Sequence, residues 1–170
     1  MRTRRVRRTS SVPIGTSSVP IVYECERCLQ IHASADTVWA WMADARRPLS
    51  LNIFHVAVTY PEPVTRVGLC VPIMHHIWGL YRQIRMARIR AYRKYFVAWG
   101  ELQEHGLDRF PHSQSLTVVP LDAQTCLVVN RLRGQFRIPG ARYWFLPLYR
   151  QLAPCILDYE NRRIAAAVIA

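Results

Sequence analysis

The pattern of apolar and polar positions changes period three times along the chain. Ile21 to His32 carries Val22, Tyr23, Cys25, Cys28, Leu29 and Ile31, enough for one strand. Behind the N-cap candidates Ser34 and Asp36, Val38, Trp41 and Met42 then recur at helical spacing. Arg46-Arg47-Pro48 is expected to end that helix, because proline disfavours helical geometry at the residue before it. A short second helix or turn is expected around Leu49–Phe54. Strand-like pieces follow. His55–Tyr60 alternates and stops at Pro61-Glu62-Pro63, and Val67–Trp78 is extended and apolar up to Gly79. Gln83–Tyr92 alternates charged and apolar residues, and Arg93-Lys94 turns the chain into Tyr95–Gln103. Ser113–Val119 and Cys126–Phe136 flank a turn at Pro120-Leu121-Asp122-Ala123, which suits an antiparallel meander. Beyond Pro139-Gly140, Trp144, Leu148, Leu152, Cys155, Ile156, Tyr159 and Ile164 recur at three and four. They form the stripe of one long helix, which Pro147 and Pro154 should bend or interrupt. Strands capped by a helix on one face read as an α+β domain.

Composition sharpens this picture. A chain of 170 residues that is 51% apolar has room for a real core and is not a disordered basic tail protein. No apolar run reaches the roughly 20 residues of a membrane span. The net charge of +12 invites a nucleic-acid reading, so its location matters. Residues 1–20 hold five arginines and no acid, Arg82 to Lys94 adds six cations, and Arg131, Arg133, Arg137 and Arg142 add four. The remainder of the chain is slightly acidic. The first twenty residues, broken by Pro13 and Pro20 and lacking an apolar stretch after the arginines, read as a disordered basic tail ahead of a domain at 21–170. Truncation after Val19 should leave folding intact. Without an RRM, KH, zinc-finger or helix-turn-helix pattern, nucleic acid is not the favoured partner. The five cysteines read as reduced core thiols of a cytoplasmic protein, and the Cys25-x-x-Cys28 pair lacks a second half to make a zinc site.

Two stretches carry a resemblance. Ile31-His32-Ala33-Ser34-Ala35-Asp36-Thr37-Val38-Trp39 matches a strand end, a small-residue cap and Val-Trp in the first helix. Arg133-Gly134 is followed by a long helix ending at Tyr159-Glu160-Asn161. With the element order, these make residues 21–167 resemble the START-like, helix-grip superfamily (SRPBCC) of polyketide cyclases and dehydratases, lipid-transfer domains and coenzyme Q-binding proteins. The resemblance implies a curved antiparallel sheet wrapped around the C-terminal helix, with an internal apolar cavity between them. Such a cavity either binds a lipid or quinone passively or positions a polyketide for ring closure or dehydration. Catalytic residues differ among members, so none is carried over.

The chain's own residues supply the candidates. Of His75-His76, His75 should share a face with Val71, Ile73 and Ile77 and reach the cavity, where an imidazole can shuttle protons. Glu101 shares its strand face with Trp99 and Gln103; if buried, its pKa should rise, as suits a general acid or base. A competing reading makes it an edge carboxylate paired with arginines. His112 is a second polar group for the rim, and its neighbour Ser113 should diverge from it. Arg88 and Arg90 share a face with Ile84, Met86 and Tyr92; on the cavity side they would bind an anionic substrate group, and a solvated outer strand face is the competing reading. Trp78, Trp99 and Trp144 complete the candidate substrate-binding set. The favoured function is a cofactor-free cyclase or dehydratase of secondary metabolite biosynthesis, acting on a hydrophobic small molecule by acid–base catalysis from His75, His112 and Glu101. This reading calls for no metal and no membrane span, and leaves a homodimer open. The alternative is a non-catalytic carrier of a lipid, quinone or other hydrophobic ligand.

Overall fold

The computed structural model describes residues 21–77, 81–103, 110–137 and 141–169. The expectations for the basic tail, Trp78, Gly79 and Pro139-Gly140 lie outside them. The order is β1 (Ile21–Ile31), α1 (Ala35–Met42), α2 (Arg46–Leu49), β2 (His55–Val58), β3 (Cys70–Ile77), β4 (Tyr81–Arg93), β5 (Phe96–Gln103), β6 (His112–Pro120), β7 (Cys126–Phe136) and α3 (Ala141–Ile169). This is the strand, two helices, six strands and long helix that the periodicity predicts.

Local chemistry explains the boundaries. Ser34 caps α1 by accepting the Thr37 N–H at 3.1 Å. Arg46-Arg47-Pro48 does not terminate a helix as expected; it forms the start of α2. Pro48 is tolerated because first-turn N–H groups have no partner within the helix. The β4–β5 hairpin turns at Lys94-Tyr95, with Tyr95 at φ 66. Its hydroxyl donates to Asp36 at 2.8 Å, and Lys94 pairs with the same carboxylate at 2.8 Å. α3 runs through Pro147 and Pro154 as one continuous helix, so of the two expected effects, bending or interruption, interruption does not occur.

The strands make one antiparallel sheet in the order β1-β7-β6-β5-β4-β3-β2, a meander whose first strand lies beside its last. The sheet curls, and α3 packs on β1 and β7 and against α1. Between them lies a core of Val71, Ile73, Ala87, Ile89, Val97, Trp99, Leu116, Val118 and Val128 from the sheet, with Val38, Met42, Leu49 and Ile164 from the helices. A second cluster joins Tyr23, Leu132 and Phe136 to Leu146, Ala153 and Leu157 of α3. Of the five cysteines only Cys126 is buried, so the expected set of core thiols reduces to one. Among the described residues no helix is long and apolar enough to cross a membrane.

Candidate functional site: a buried carboxylate among histidines

The starts of β2, β4 and β6 and the ends of β3 and β5 meet at one end of the sheet, and each sends a polar side chain inward. His55 comes from β2, His75 from β3, Arg85 from β4, Glu101 from β5 and His112 from β6. The alternation of the strands produces this. Along β3, Val71, Ile73 and His75 are buried; along β4, Arg85, Ala87 and Ile89; along β5, Val97, Trp99 and Glu101. Glu101 faces His112 directly across the β5–β6 ladder.

Glu101 is the centre and is fully buried, at 0% exposure. Its Oε2 lies 3.0 Å from His75 Nε2, 3.1 Å from His112 Nε2 and 4.0 Å from Arg85 Nε. Its Oε1 lies 3.5 Å from His55 Nε2 and accepts the Trp99 indole N–H at 3.2 Å. The imidazoles are oriented from behind: His55 Nδ1 bonds the Leu49 carbonyl, and His112 Nδ1 bonds the Phe110 carbonyl at 3.1 Å. Arg85 donates to the backbone carbonyls of Glu101 at 3.3 Å and Phe110 at 3.1 Å. The rings of His55 and His75 stand edge to face, 4.4 Å apart, and Phe110 stacks on His112 at 5.0 Å.

Burial works to raise the Glu101 pKa, yet the charges and contacts of His112 and His55 outweigh it and hold the carboxyl well below its ordinary range. The expected upward shift is therefore corrected to a downward one. The reason is the company of imidazoles, which the strand pattern alone does not reveal. Burial pulls His75 down despite Glu101. For His55 burial also acts downward, but Glu101 and the Leu49 carbonyl outweigh it and the pKa rises.

A second buried polar group lies beneath. Glu160 of α3 accepts from Asn52 Nδ2 at 2.9 Å, from Asn130 Nδ2 at 2.8 Å and from Gln114 Nε2. Burial pushes its carboxyl up, against the pull of the Asn130 and Gln114 amides. Glu160 ties α3 to β6, β7 and the segment before β2.

His75, Glu101 and His112 thus converge, and Trp99 supports Glu101. His76 and Ser113 point away from their inward neighbours, as adjacent strand residues must. Arg88 and Arg90 do not reach the concave side; both are exposed on the outer face. The face of β4 that turns inward is that of Arg85, Ala87 and Ile89, and the presence of Ile84 and Met86 opposite made the two faces hard to tell apart. An extra residue at Arg90, where Ile89 pairs with Trp99 but Ala91 with Ala98, reverses the alternation. Tyr92 is thereby turned inward, away from the arginines, and donates to the Ala43 carbonyl at 2.6 Å. Trp144 is 80% exposed on the first turns of α3, away from the cluster. Sequence reasoning missed His55, Arg85 and Glu160 as site residues. Arg85 carried a signal, since it alternates with Ala87 and Ile89; His55 opens a strand too short to show its parity.

The outer face carries a groove of about 300 Å3 lined by Arg90, Arg131, Arg133, Glu24, Ser113 and Ser115.

No protein-family model matches the sequence, and no curated protein is similar to it in sequence. Solved structures are similar in fold. A START superfamily protein from Mycobacterium smegmatis superposes with a TM-score of 0.65 at 16% identity, over 85% of this chain and 96% of that one. An aromatase/cyclase from a Streptomyces species gives 0.61 at 17% identity, over 87% and 92%. A truncated norcoclaurine synthase from Thalictrum flavum gives 0.61 at 16% identity, over 89% and 98%. With its curled antiparallel sheet closed over a long C-terminal helix, the chain has the START-like, helix-grip fold.

Proposed function

We propose that the chain is an enzyme of the cyclase or dehydratase kind, acting on an enolisable, unsaturated small molecule bound at the concave end of the sheet. One observation carries this reading: a fully buried carboxylate with two imidazole Nε2 atoms at 3.0 and 3.1 Å. A passive carrier needs an apolar wall; convergent ionisable groups cost stability and are retained where proton transfer is the task. The fold likeness to an aromatase/cyclase agrees with this reading.

His112 is the member of the triad least shielded from solvent, with 12% of its side chain exposed, and its imidazole is the base that a ligand reaches first. Glu101 orients it. With Nε2 held by Glu101, the nitrogen that meets the ligand is Nδ1, which gives up the Phe110 carbonyl as the ligand enters. It removes a proton from carbon beside a carbonyl, and the electron pair moves onto the carbonyl oxygen to give an enolate. Arg85, in the place expected of Arg88 and Arg90, supplies the positive charge that stabilises that oxygen. The enolate carbon then attacks a second carbonyl, whose oxygen takes the proton from the imidazolium. The rings of Phe110, Phe136 and Tyr149, 4.6 to 5.4 Å apart, form an aromatic surface beside His112 suited to a planar substrate.

The test is turnover of a synthetic linear poly-β-ketone thioester. Wild type is expected to give a cyclised product, and His112→Ala and His75→Ala to lower kcat by about 100-fold or more with KM little changed. Equal rates in wild type and both variants would remove the acid–base reading. Binding without turnover in wild type would favour the carrier.

A further inference from the structure

We propose that His55, His75 and Glu101 form a binding site for a first-row divalent transition-metal cation of the zinc type. The inference goes beyond the enzymatic reading and stands whether or not the chain turns over a substrate.

Geometry is the first support. One ligand atom from each of His55, His75 and Glu101 lies within 4.8 Å of the others, and all three residues are buried. Neighbouring ligand atoms of a tetrahedral ion with bonds of about 2.0–2.1 Å stand about 3.3 Å apart. The nitrogen-to-carboxylate separations here are 3.5 Å from His55 Nε2 to Oε1 and 3.0 Å from His75 Nε2 to Oε2, so the two imidazoles flank opposite oxygens of one carboxylate.

These atoms are close without being aligned for hydrogen bonding. His55 Nε2, His75 Nε2 and Glu101 Oε2 are buried and have no hydrogen-bond partner among the described residues. A buried polar atom in that condition costs about 1–3 kcal/mol. A single cation at the point they face satisfies all three at once. The outer contact agrees. The Leu49 carbonyl takes the Nδ1 proton of His55, which leaves its Nε2 aimed at Glu101. With Glu101 ionised, each Nε2 that faces it takes either a proton or a shared cation between the two.

The donor set selects the ion. Imidazoles with one carboxylate suit zinc, cobalt, iron(II) or manganese, whereas magnesium and calcium favour all-oxygen ligation. Arg85 lies 4.0 Å from Oε2 and competes with the cation for Glu101. No spacing motif announces the site, because each ligand comes from a different strand.

The experiment uses the untagged full chain, stripped with a chelator and dialysed into metal-free buffer. It is titrated with Zn2+ alone by calorimetry and with Co2+ alone by visible absorption. One equivalent of each is expected, with cobalt bands of a four- or five-coordinate nitrogen and oxygen site and no thiolate charge-transfer band. His55→Gln and His75→Gln should each weaken binding by at least about 100-fold, while His76→Gln and Cys28→Ser leave it unchanged. A folded wild-type chain without stoichiometric binding would overturn the proposal. So would a thiolate band, or affinity unchanged in both ligand variants. Where a variant does not fold, the wild-type cobalt spectrum decides. A metal-binding chain that leaves the poly-β-ketone untouched would remove the enzymatic reading and keep this one.

Discussion

At the scale of single residues, the two sheet glycines beside the site carry different constraints. A Cβ on Gly100 would come within 2.4 Å of Arg90 Nε, the far end of a flexible, exposed side chain that can move aside. A Cβ on Gly134 would meet the Phe110 ring at 2.7 Å. That ring is fixed between Phe136 and His112, at 4.6 and 5.0 Å. Gly134→Ala should therefore cost about 1–3 kcal/mol and disturb His112, whereas Gly100→Ala should cost under about 1 kcal/mol. Chemical denaturation of the two variants checks the order; equal losses would contradict it. The same scale shows what the sequence could and could not reveal. Alternation grouped His75 with Val71 and Ile73 and Glu101 with Trp99, but it left open whether Glu101 is buried or an edge carboxylate; the structure buries both. It did not decide the side for Arg88 and Arg90, since β4 carries aliphatic residues on both faces; the solvated outer face is the one found. It grouped Tyr92 with the arginines because a one-residue bulge is invisible to a period count. The sign of the Glu101 shift was out of reach, as it depends on partners up to 46 positions away in the chain, such as His55.

Among the elements, the junction of α1 and α2 is held by one carboxylate. Asp44 accepts from the backbone N–H of Val64 at 3.0 Å and of Arg46 at 3.1 Å, and from the Arg46 guanidinium at 2.7 Å. Burial acts to raise its pKa, but the Arg46 side chain and the two backbone donors outweigh burial and lower it below the ordinary 3.8. A carboxyl lowered in the folded state adds stability above its unfolded value and loses it as pH falls through the folded value. Asp44→Asn should thus cost about 1–3 kcal/mol at neutral pH, and the gap from wild type should narrow as pH falls through the lowered folded-state value. Melting curves at pH 7 and pH 2.5 measure it, and a gap that stays the same size at low pH would refute the assignment. Element order and type were readable throughout, since each change of period is long. The position of α2 was not, because Pro48 in a first turn looks the same in sequence as Pro48 beyond a helix end. The continuity of α3 through two prolines likewise depends on its packing against β1 and β7 and not on local propensity.

For the whole molecule, the charge that first suggested nucleic acid now has a place. Arg88, Arg90, Arg131 and Arg133 point outward, and Arg131 pairs with Glu24 at 3.8 Å and with Glu26. Only Arg85 of the β4 cations is buried with the site. The polar group at the end of the sheet was not readable in the sequence, because its members come from five strands. Every strand among the described residues lies at or beyond Ile21. Deleting residues 1–19 removes five positive charges and should shift the melting midpoint by under about 2 °C; a larger loss would show that the sheet depends on that segment.

The adjacency of the first and last strands also governs how the chain must assemble. Ile21 pairs with Phe136 and Ile31 with Cys126, so the ladder between β1 and β7 joins segments about a hundred residues apart. Local hairpins from β3 to β7 can close soon after they leave the ribosome, but the strand made first finds its partner only when the last strand has emerged. Until then β1 is an open edge. Folding is consequently slow for the chain's size, late to commit, and most exposed to aggregation in the interval before that final ladder closes.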